Sequence, residues 1–498
     1  MSTAAAARGT DVPEGRTGFL GIIYGDVGTT QFRFSVVNSV ERNEYVAVNH
    51  ETCGEVLGRV EEVERRTDLS IERAQNLANG ESVDIEEKVS ARVAVIGYRD
   101  DRGLLQVPKT PFRAGEAVSR AEDELITRTI GIKQSRKTGA YVGTLLGHGI
   151  PILLDINGMV QKHVSVLAKT GGGKSYLTGV LVEELLKHNV TAVVIDPHGE
   201  YGALRDKGKH DKLMDRFGVE PRAYKDQINE LSPDTRINPQ AKPLKFTLSN
   251  LDAREILGLA NPAQMKSFLP ALRRALDVLR SSVREYDVGD VIRVLQREDE
   301  QQNQALIDDL LYLKEVDIFA KEGTRVDELV QKGKTTIINL KGVPPDVQEL
   351  VVSRVADALF RLRKLNRVPP MMLAVEEAHN YCPQVGTAAS SKVMRTIASE
   401  GRKFGLGLLI VTQRAAKVDK NVLSQCNTQI ILKVTNPNDL KAITSSVEGI
   451  TPGMEDEIQR LPIGQAIVMG AGVQMPLIIE VRARETRHGG ESVTVIEE

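Results

Sequence analysis

The chain has 498 residues, a formal net charge of −2 and 41% hydrophobic residues. It is too long for one core and too apolar for disorder, so two or three globular domains are expected. Cys53, Cys382 and Cys426 are far apart with no C-x-x-C pair, which argues against a disulfide framework or a zinc site and fits a reducing cytoplasm. The eight histidines lack the H-x-x-x-H and H-E-x-x-H spacings of a protein-held transition metal. No run of about 18 apolar residues occurs, so no membrane-spanning segment is expected. The balanced charge argues against a surface that coats nucleic acid throughout, but it is compatible with a basic channel wall inside an acidic exterior.

Residues 1–17 are small and polar, without the apolar stretch of a secretory signal, and are expected to form a disordered tail. Over 18–107, short β-prone runs recur at Gly18–Tyr24, Gln31–Val37, Glu44–Val48, Val56–Glu64 and Val89–Tyr98. Gly, Asn and Asp separate them, and one helix interrupts near Ser70–Leu77, which together predict a small β-barrel. An unspecialised β-rich domain would give the same pattern. Pro108, Pro111 and Gly115 open an expected linker, 108–158, holding a polar helix near Ser119–Arg128 and a basic stretch at Lys133–Lys137.

From Met159 apolar strands alternate with helices. Strands are readable at His163–Ala168, Val190–Asp196, Thr335–Leu340, Met371–Glu376, Gly407–Thr412, Gln429–Val434 and Gln465–Met469. Continuous apolar runs between helices predict an α/β core with a mainly parallel sheet covered on both faces. Its two parts are expected at 159–251 and 322–484. Between them, helical periodicity at Phe268–Ser281, Val288–Arg297 and Ala305–Ala320 predicts a helical insertion, 252–321. Residues 485–498 are expected to be a tail.

Ala168-Lys169-Thr170-Gly171-Gly172-Gly173-Lys174-Ser175 lies between an apolar strand and a helix, the setting of a phosphate-binding loop. Glycines let backbone N–H groups turn around phosphate oxygens, and the helix N-terminus favours the anion. Thr170, Gly171, Gly172, Gly173, Lys174, Ser175 and Tyr176 are therefore candidate ATP-binding residues. Lys174 can reach the β- and γ-phosphates, and the Ser175 hydroxyl can ligate Mg²⁺. Ala168 stands where the usual motif has its first glycine; that position ends the strand and tolerates Ala at negative φ.

Met371-Met372-Leu373-Ala374-Val375 runs into Glu376-Glu377. Adjacent carboxylates at a strand end can address two points, so Glu376 is the expected Mg²⁺ residue and Glu377 the residue that polarises the attacking water. The alternative is an acidic helix start. Gly407–Thr412 delivers Gln413 to the ligand-binding edge of the sheet, as a γ-phosphate sensor or simply a solvated strand end. Asp196, before Pro197, is either a nucleotide-site residue or a turn former. Arg402 and Lys162 are candidate cations for the transition-state charge, or plain surface charges. Arg414–Lys420 is a basic loop at the same edge as Gln413, able to touch a phosphate backbone or merely solvated.

These strings resemble the HerA/FtsK group of ring-forming DNA motors, and most of all the archaeal HerA family. The resemblance covers nearly the whole chain. It is carried by His163-Val164 through Lys174-Ser175-Tyr176, Asp196-Pro197-His198-Gly199-Glu200-Tyr201, Val375-Glu376-Glu377-Ala378-His379-Asn380, Glu400-Gly401-Arg402-Lys403-Phe404-Gly405 and Leu423-Ser424-Gln425-Cys426-Asn427-Thr428. It implies a RecA-like P-loop core, an N-terminal HAS-barrel, a homohexameric ring on double-stranded DNA, ATP-dependent translocation or unwinding, and a NurA-type nuclease as partner in end resection. In that family a Glu pair is usual, an Arg matching Arg402 acts near the nucleotide, and the residue matching Lys162 is usually an Arg reaching in from the next subunit. Lys162 keeps the charge and loses the bidentate geometry. Two other classes fit the motif set: a secretion or conjugation-type ATPase, disfavoured by the lack of apolar spans, and a non-enzymatic scaffold, disfavoured by intact Lys174, Ser175, Glu376 and Glu377.

Overall fold

The computed structural model describes residues 18–133, 135–260, 265–282, 285–446, 452–470 and 472–490. They divide into two compact units. One runs to Ile132 and includes Gly147–Ile150; the other comprises Lys133–Leu146 and the chain from Pro151 onward.

In the first unit six antiparallel strands close on themselves: Gln31–Val36, Phe19–Tyr24, Ala117–Arg120, Tyr45–His50, Gly54–Thr67 and Glu87–Arg99, the last pairing back to Gln31–Val36. Closure leaves no free edge in the ring. Alternate residues point inward, and Leu20, Phe32, Phe34, Val46, Val60 and Val93 fill the interior. The segment expected to be a linker supplies the closing strand, Ala117–Arg120, whose Val118 is fully buried. The expected polar helix starts later, at Asp123–Ile130, and buries Leu125, Ile126 and Ile130. A four-residue strand is too short for its alternation to stand out from the prolines before it. Ser70 caps the helix Ile71–Ala78, accepting from Arg73 N.

The second unit is built on a twelve-stranded sheet. Eight strands are parallel, in the order Lys242–Pro243, Ile228–Ser232, Thr335–Asn339, Thr191–Asp196, Met371–Val375, Leu406–Thr412, Val164–Leu167 and Thr428–Ile431. Four antiparallel strands extend it: Gln465–Gly470, Val473–Val481, Gly139–Leu145 and Pro151–Asp155. The rest of the expected linker is thus the sheet's far edge. Strands Met371–Val375 and Leu406–Thr412 are buried at every residue, as a sheet covered on both faces requires. Between the two parts of the core lie helices Ala253–Ala260, Met265–Ser282 and Val288–Glu315. The last joins two expected helices across a break at Asp299 (φ −165°, ψ 96°). Among the described residues no helix is long and apolar enough to cross a membrane.

Residues 485 and 486, expected to open a tail, are buried. They lie against the helix Lys174–Lys187 in an ionic cluster. Arg482, with no exposed surface, donates to Glu183 Oε2 (2.9 Å), Glu184 Oε1 (2.8 Å) and Tyr141 O (2.8 Å). Glu183 also accepts from Thr486 N (3.0 Å), Thr486 Oγ1 (2.7 Å) and Glu485 N (3.1 Å). Removing one partner of such a cluster strands the opposite charge in a dry interior. Arg482→Met is therefore expected to lower stability by about 3–5 kcal/mol, read as a fall in the urea midpoint of this unit; an unchanged midpoint would mean the cluster contributes nothing net.

Candidate nucleotide site

Strand Val164–Leu167 ends in the glycine loop, and helix Lys174–Lys187 starts directly after it. Gly171 (φ +70°) and Gly173 (φ +91°) hold left-handed conformations, which bend the backbone without a Cβ penalty. Gly173 is the N-cap, so the first unpaired N–H groups of a 14-residue helix face the loop. Ala168 is outside the set of described non-glycine residues at positive φ, so alanine is unstrained there.

Sheet order brings the other residues to the same edge. The strand that delivers Gln413 lies between the phosphate-loop strand and the strand that delivers Glu376. Thr170 Oγ1 donates to Gln413 Oε1, tying the glycine loop to the end of that strand. The Lys174 ammonium donates to Glu376 Oε1 and, at 3.2 Å, to Glu377 Oε1. Burial pulls the Lys174 pKa down, but the two carboxylates outweigh it and hold it above the ordinary lysine value. Glu376 is almost wholly buried, and burial lifts its pKa against the pull of Lys174 and of Tyr201, whose hydroxyl donates to Glu376 Oε2 at 2.6 Å.

Glu377 adopts a left-handed backbone (φ +49°), a conformation that costs about 1–3 kcal/mol outside glycine and concentrates at functional sites. The bend lets two successive carboxylates meet one ammonium. Burial works against its charge, but His198 and Lys174 overcome that and depress its pKa. His198 Nε2 lies 3.9 Å from Glu377 Oε1 and His379 Nδ1 lies 3.3 Å from Oε2, yet Oε2 is buried without a hydrogen bond. The sequence motifs by themselves give His198, Tyr201 and His379 no role. Their signal was their place in the two strings beside Asp196 and the glutamate pair.

Asp196 is fully buried and spends both oxygens on backbone N–H groups, of Gly199 (2.8 Å), Glu200 (3.1 Å) and Tyr201 (2.9 Å). Burial pushes its pKa up to about 6 against those bonds. The turn-forming alternative describes its contacts: Asp196 holds the turn bearing His198 and Tyr201. Tyr176 points its hydroxyl at Arg484 N (2.8 Å) and packs its ring against His488 (centroids 5.5 Å), so its contacts are with residues 484–488. Ser175 is half-buried in the first turn of the helix.

Lys162 and Arg402 are not brought to this edge. Lys162 ends helix Ile156–Lys162, before the phosphate-loop strand starts, and Arg402 precedes the strand that starts at Leu406. Both are exposed at the opposite edge of the parallel strands. His163 (φ +57°) fastens the two segments there: Nε2 contacts Ala398 O (3.0 Å) and Nδ1 accepts from Leu408 N (2.9 Å).

A glycine loop on a helix N-terminus, a lysine facing two strand-end carboxylates and a Gln strand between them define a RecA-like P-loop nucleotide-binding core. Residues 140–359 match the family model described as helicase HerA, central domain. The chain is 26% identical to a probable helicase of Methanocaldococcus jannaschii, over 96% of this chain and 93% of that one. It is also 26% identical to the DNA double-strand break repair helicase HerA of Pyrococcus furiosus, over 96% of each. Among solved structures, VirB4 of Thermoanaerobacter pseudethanolicus matches 71% of this chain and 98% of its own, at 15% identity and a TM-score of 0.48. The central part of the chain is thus similar to the HerA helicase central domain, and nearly its whole length is similar to HerA helicases.

The Glu377 carboxylate nearby lifts the His198 pKa above the ordinary 6.5, so the ion pair is present below that value and is lost as pH rises through the folded-state pKa. An NMR titration is expected to place the His198 midpoint above 6.5 in the native protein, and Glu377→Gln to bring it down. Equal midpoints in the two proteins would mean the pair does not form.

Proposed function

We propose that this chain is an ATP-driven double-stranded DNA translocase or helicase, working as a homohexameric ring in DNA end resection with a NurA-type nuclease. The observation that carries the ATP part is the convergence of Lys174, Glu376, Glu377 and Gln413 beside the glycine loop. The residues present fit ATP and Mg²⁺: a positively polarised helix start, a lysine, and a buried carboxylate oxygen with no bond of its own. Ser175 and Glu376 would hold Mg²⁺, which supplies neutralising charge for the phosphates. Lys174 then exchanges carboxylates for the β- and γ-phosphates, which frees Glu377. Glu377, with His198 still beside it to favour the anion, orients the attacking water and takes up its proton. Gln413, linked to Thr170, registers the γ-phosphate.

The DNA part is supported by the relative in Pyrococcus furiosus, whose name is DNA double-strand break repair helicase. The ring is supported by Lys162 and Arg402. Exposed at the edge away from their own site, they serve a nucleotide only across a head-to-tail contact between copies, and such contacts generate rings when they close. The place of action is then the cytoplasm, with the DNA.

Lys174→Ala is expected to abolish ATP turnover, and Glu377→Gln to reduce it about 10²–10⁴-fold while retaining ATP binding. Arg402→Ala is expected to lower turnover without loss of ATP binding. Linear duplex DNA is expected to stimulate wild-type hydrolysis, and stimulation to fade as salt rises, because phosphate contacts release counterions. Hydrolysis indifferent to DNA at low and high salt would favour a protein-directed ATPase of the secretion or conjugation type.

A further inference from the structure

Directly after Gln413 the chain enters the loop Arg414–Lys420. Arg414, Lys417 and Lys420 are exposed, and no ion pair holds any of them among the described residues. The loop is stitched to the segment that follows the glutamate pair. Pro383 and Val418 form a bridge, Gln384 N donates to Lys417 O (2.7 Å), Lys420 N to Gln384 Oε1 (2.8 Å) and Asp419 N to Cys382 O (2.8 Å). Its root is held as tightly, with Ala416 N donating to Asp439 Oδ1 (2.9 Å). A pull on the three cations is therefore carried inward by backbone bonds rather than lost in a slack loop.

The inward path ends at Glu377. Arg414 N donates to Thr412 Oγ1 (3.0 Å), and Thr412 Oγ1 is bonded to His379 Nδ1 (3.0 Å). The same Nδ1 lies 3.3 Å from Glu377 Oε2, the oxygen that is buried without a hydrogen bond. A ring nitrogen offers one in-plane N–H or one lone pair, so it serves one of these partners at a time. Here it serves the hydroxyl, and the carboxylate oxygen goes without.

We propose that His379 is a positioning residue whose Nδ1 switches between Thr412 and Glu377, so that phosphates gripped by Arg414, Lys417 and Lys420 determine when Glu377 is aimed for hydrolysis. The inference rests on the DNA-motor function proposed above. Phosphates that draw the loop outward take the Arg414 N–H from Thr412 and loosen that hydroxyl. The Nδ1–H of His379 then turns to Glu377 Oε2 and fixes the carboxylate. The two positions are alternatives, which makes the coupling a switch and not a graded pull.

The test is Thr412→Val, which removes the competing hydroxyl and keeps the shape of a buried strand residue. DNA-free ATP turnover is expected to rise about tenfold, the equivalent of one hydrogen bond to a charged group, toward the DNA-stimulated rate. Thr412→Ser is expected to restore dependence on DNA. A packing defect would lower turnover, not raise it. A valine variant stimulated by linear duplex DNA as strongly as wild type overturns the switch and leaves the DNA motor standing. Wild-type turnover indifferent to DNA, beside a valine variant that is still faster, overturns the DNA trigger and leaves the His379 exchange standing. Should the valine variant fail to fold, nitrogen NMR of histidine-labelled wild-type protein decides: the His379 Nδ1 resonance is expected to move when duplex DNA is added, and a stationary resonance overturns the proposal.

Discussion

One ammonium shared by two buried carboxylates is the interaction on which the rest of the nucleotide site depends. Lys174 comes from a loop whose shape needs Gly171 and Gly173, and the carboxylates come from a strand two places away in the sheet. Neither half is tolerable alone in so dry a place. A lone lysine there would lose its proton, and two adjacent carboxylates would not both stay charged. Together they favour the charged forms of Lys174 and Glu377, poised for a ligand that carries negative charge of its own. The left-handed turn at Glu377 is what that arrangement costs, and the neighbouring Tyr201, His198 and His379 hold it in place.

The parallel core and its site were legible because their determinants are local. The glycine loop, the apolar strand before it and the helix after it sit within one short stretch, as do the strand Met371–Val375 and its glutamate pair. Strand alternation likewise marked most of the barrel. What escaped was set by partners distant in sequence. The closing strand Ala117–Arg120 is defined by two strands far upstream, and nothing in its own four residues signals a ring. Arg482 is an ordinary charged residue until Glu183 and Glu184 are placed beside it. Asp196 was readable as either a ligand-facing or a turn-forming residue, and only its three backbone bonds choose between them.

The two basic candidates show the same limit in another form. A cation is visible in a sequence, but the end of the strand on which it lies is not its only address, because a neighbouring copy can present the opposite end. Lys162 and Arg402 share one edge, held together through His163, so a contact that brings one of them to a foreign nucleotide brings the element bearing the other with it. Lys162 offers only a point charge to that contact, whereas Arg402 offers a planar fork.

The antiparallel extension has a consequence for how the chain is made. Among the described residues Gly139–Leu145 and Pro151–Asp155 join the sheet only through Val473–Val481, and Glu183 and Glu184 wait for Arg482. Residues separated by about 300 positions must therefore meet before the phosphate-loop helix has its full support. A ribosome emits residues 139–187 long before residues 473–486, so the nascent helix spends most of synthesis with two carboxylates uncovered and a sheet edge open. Such an edge is a natural landing place for a chaperone. A chain cut short upstream of Val473 retains the glycine loop and the glutamate pair and yet lacks the clasp behind the helix that joins them to the sheet's far edge.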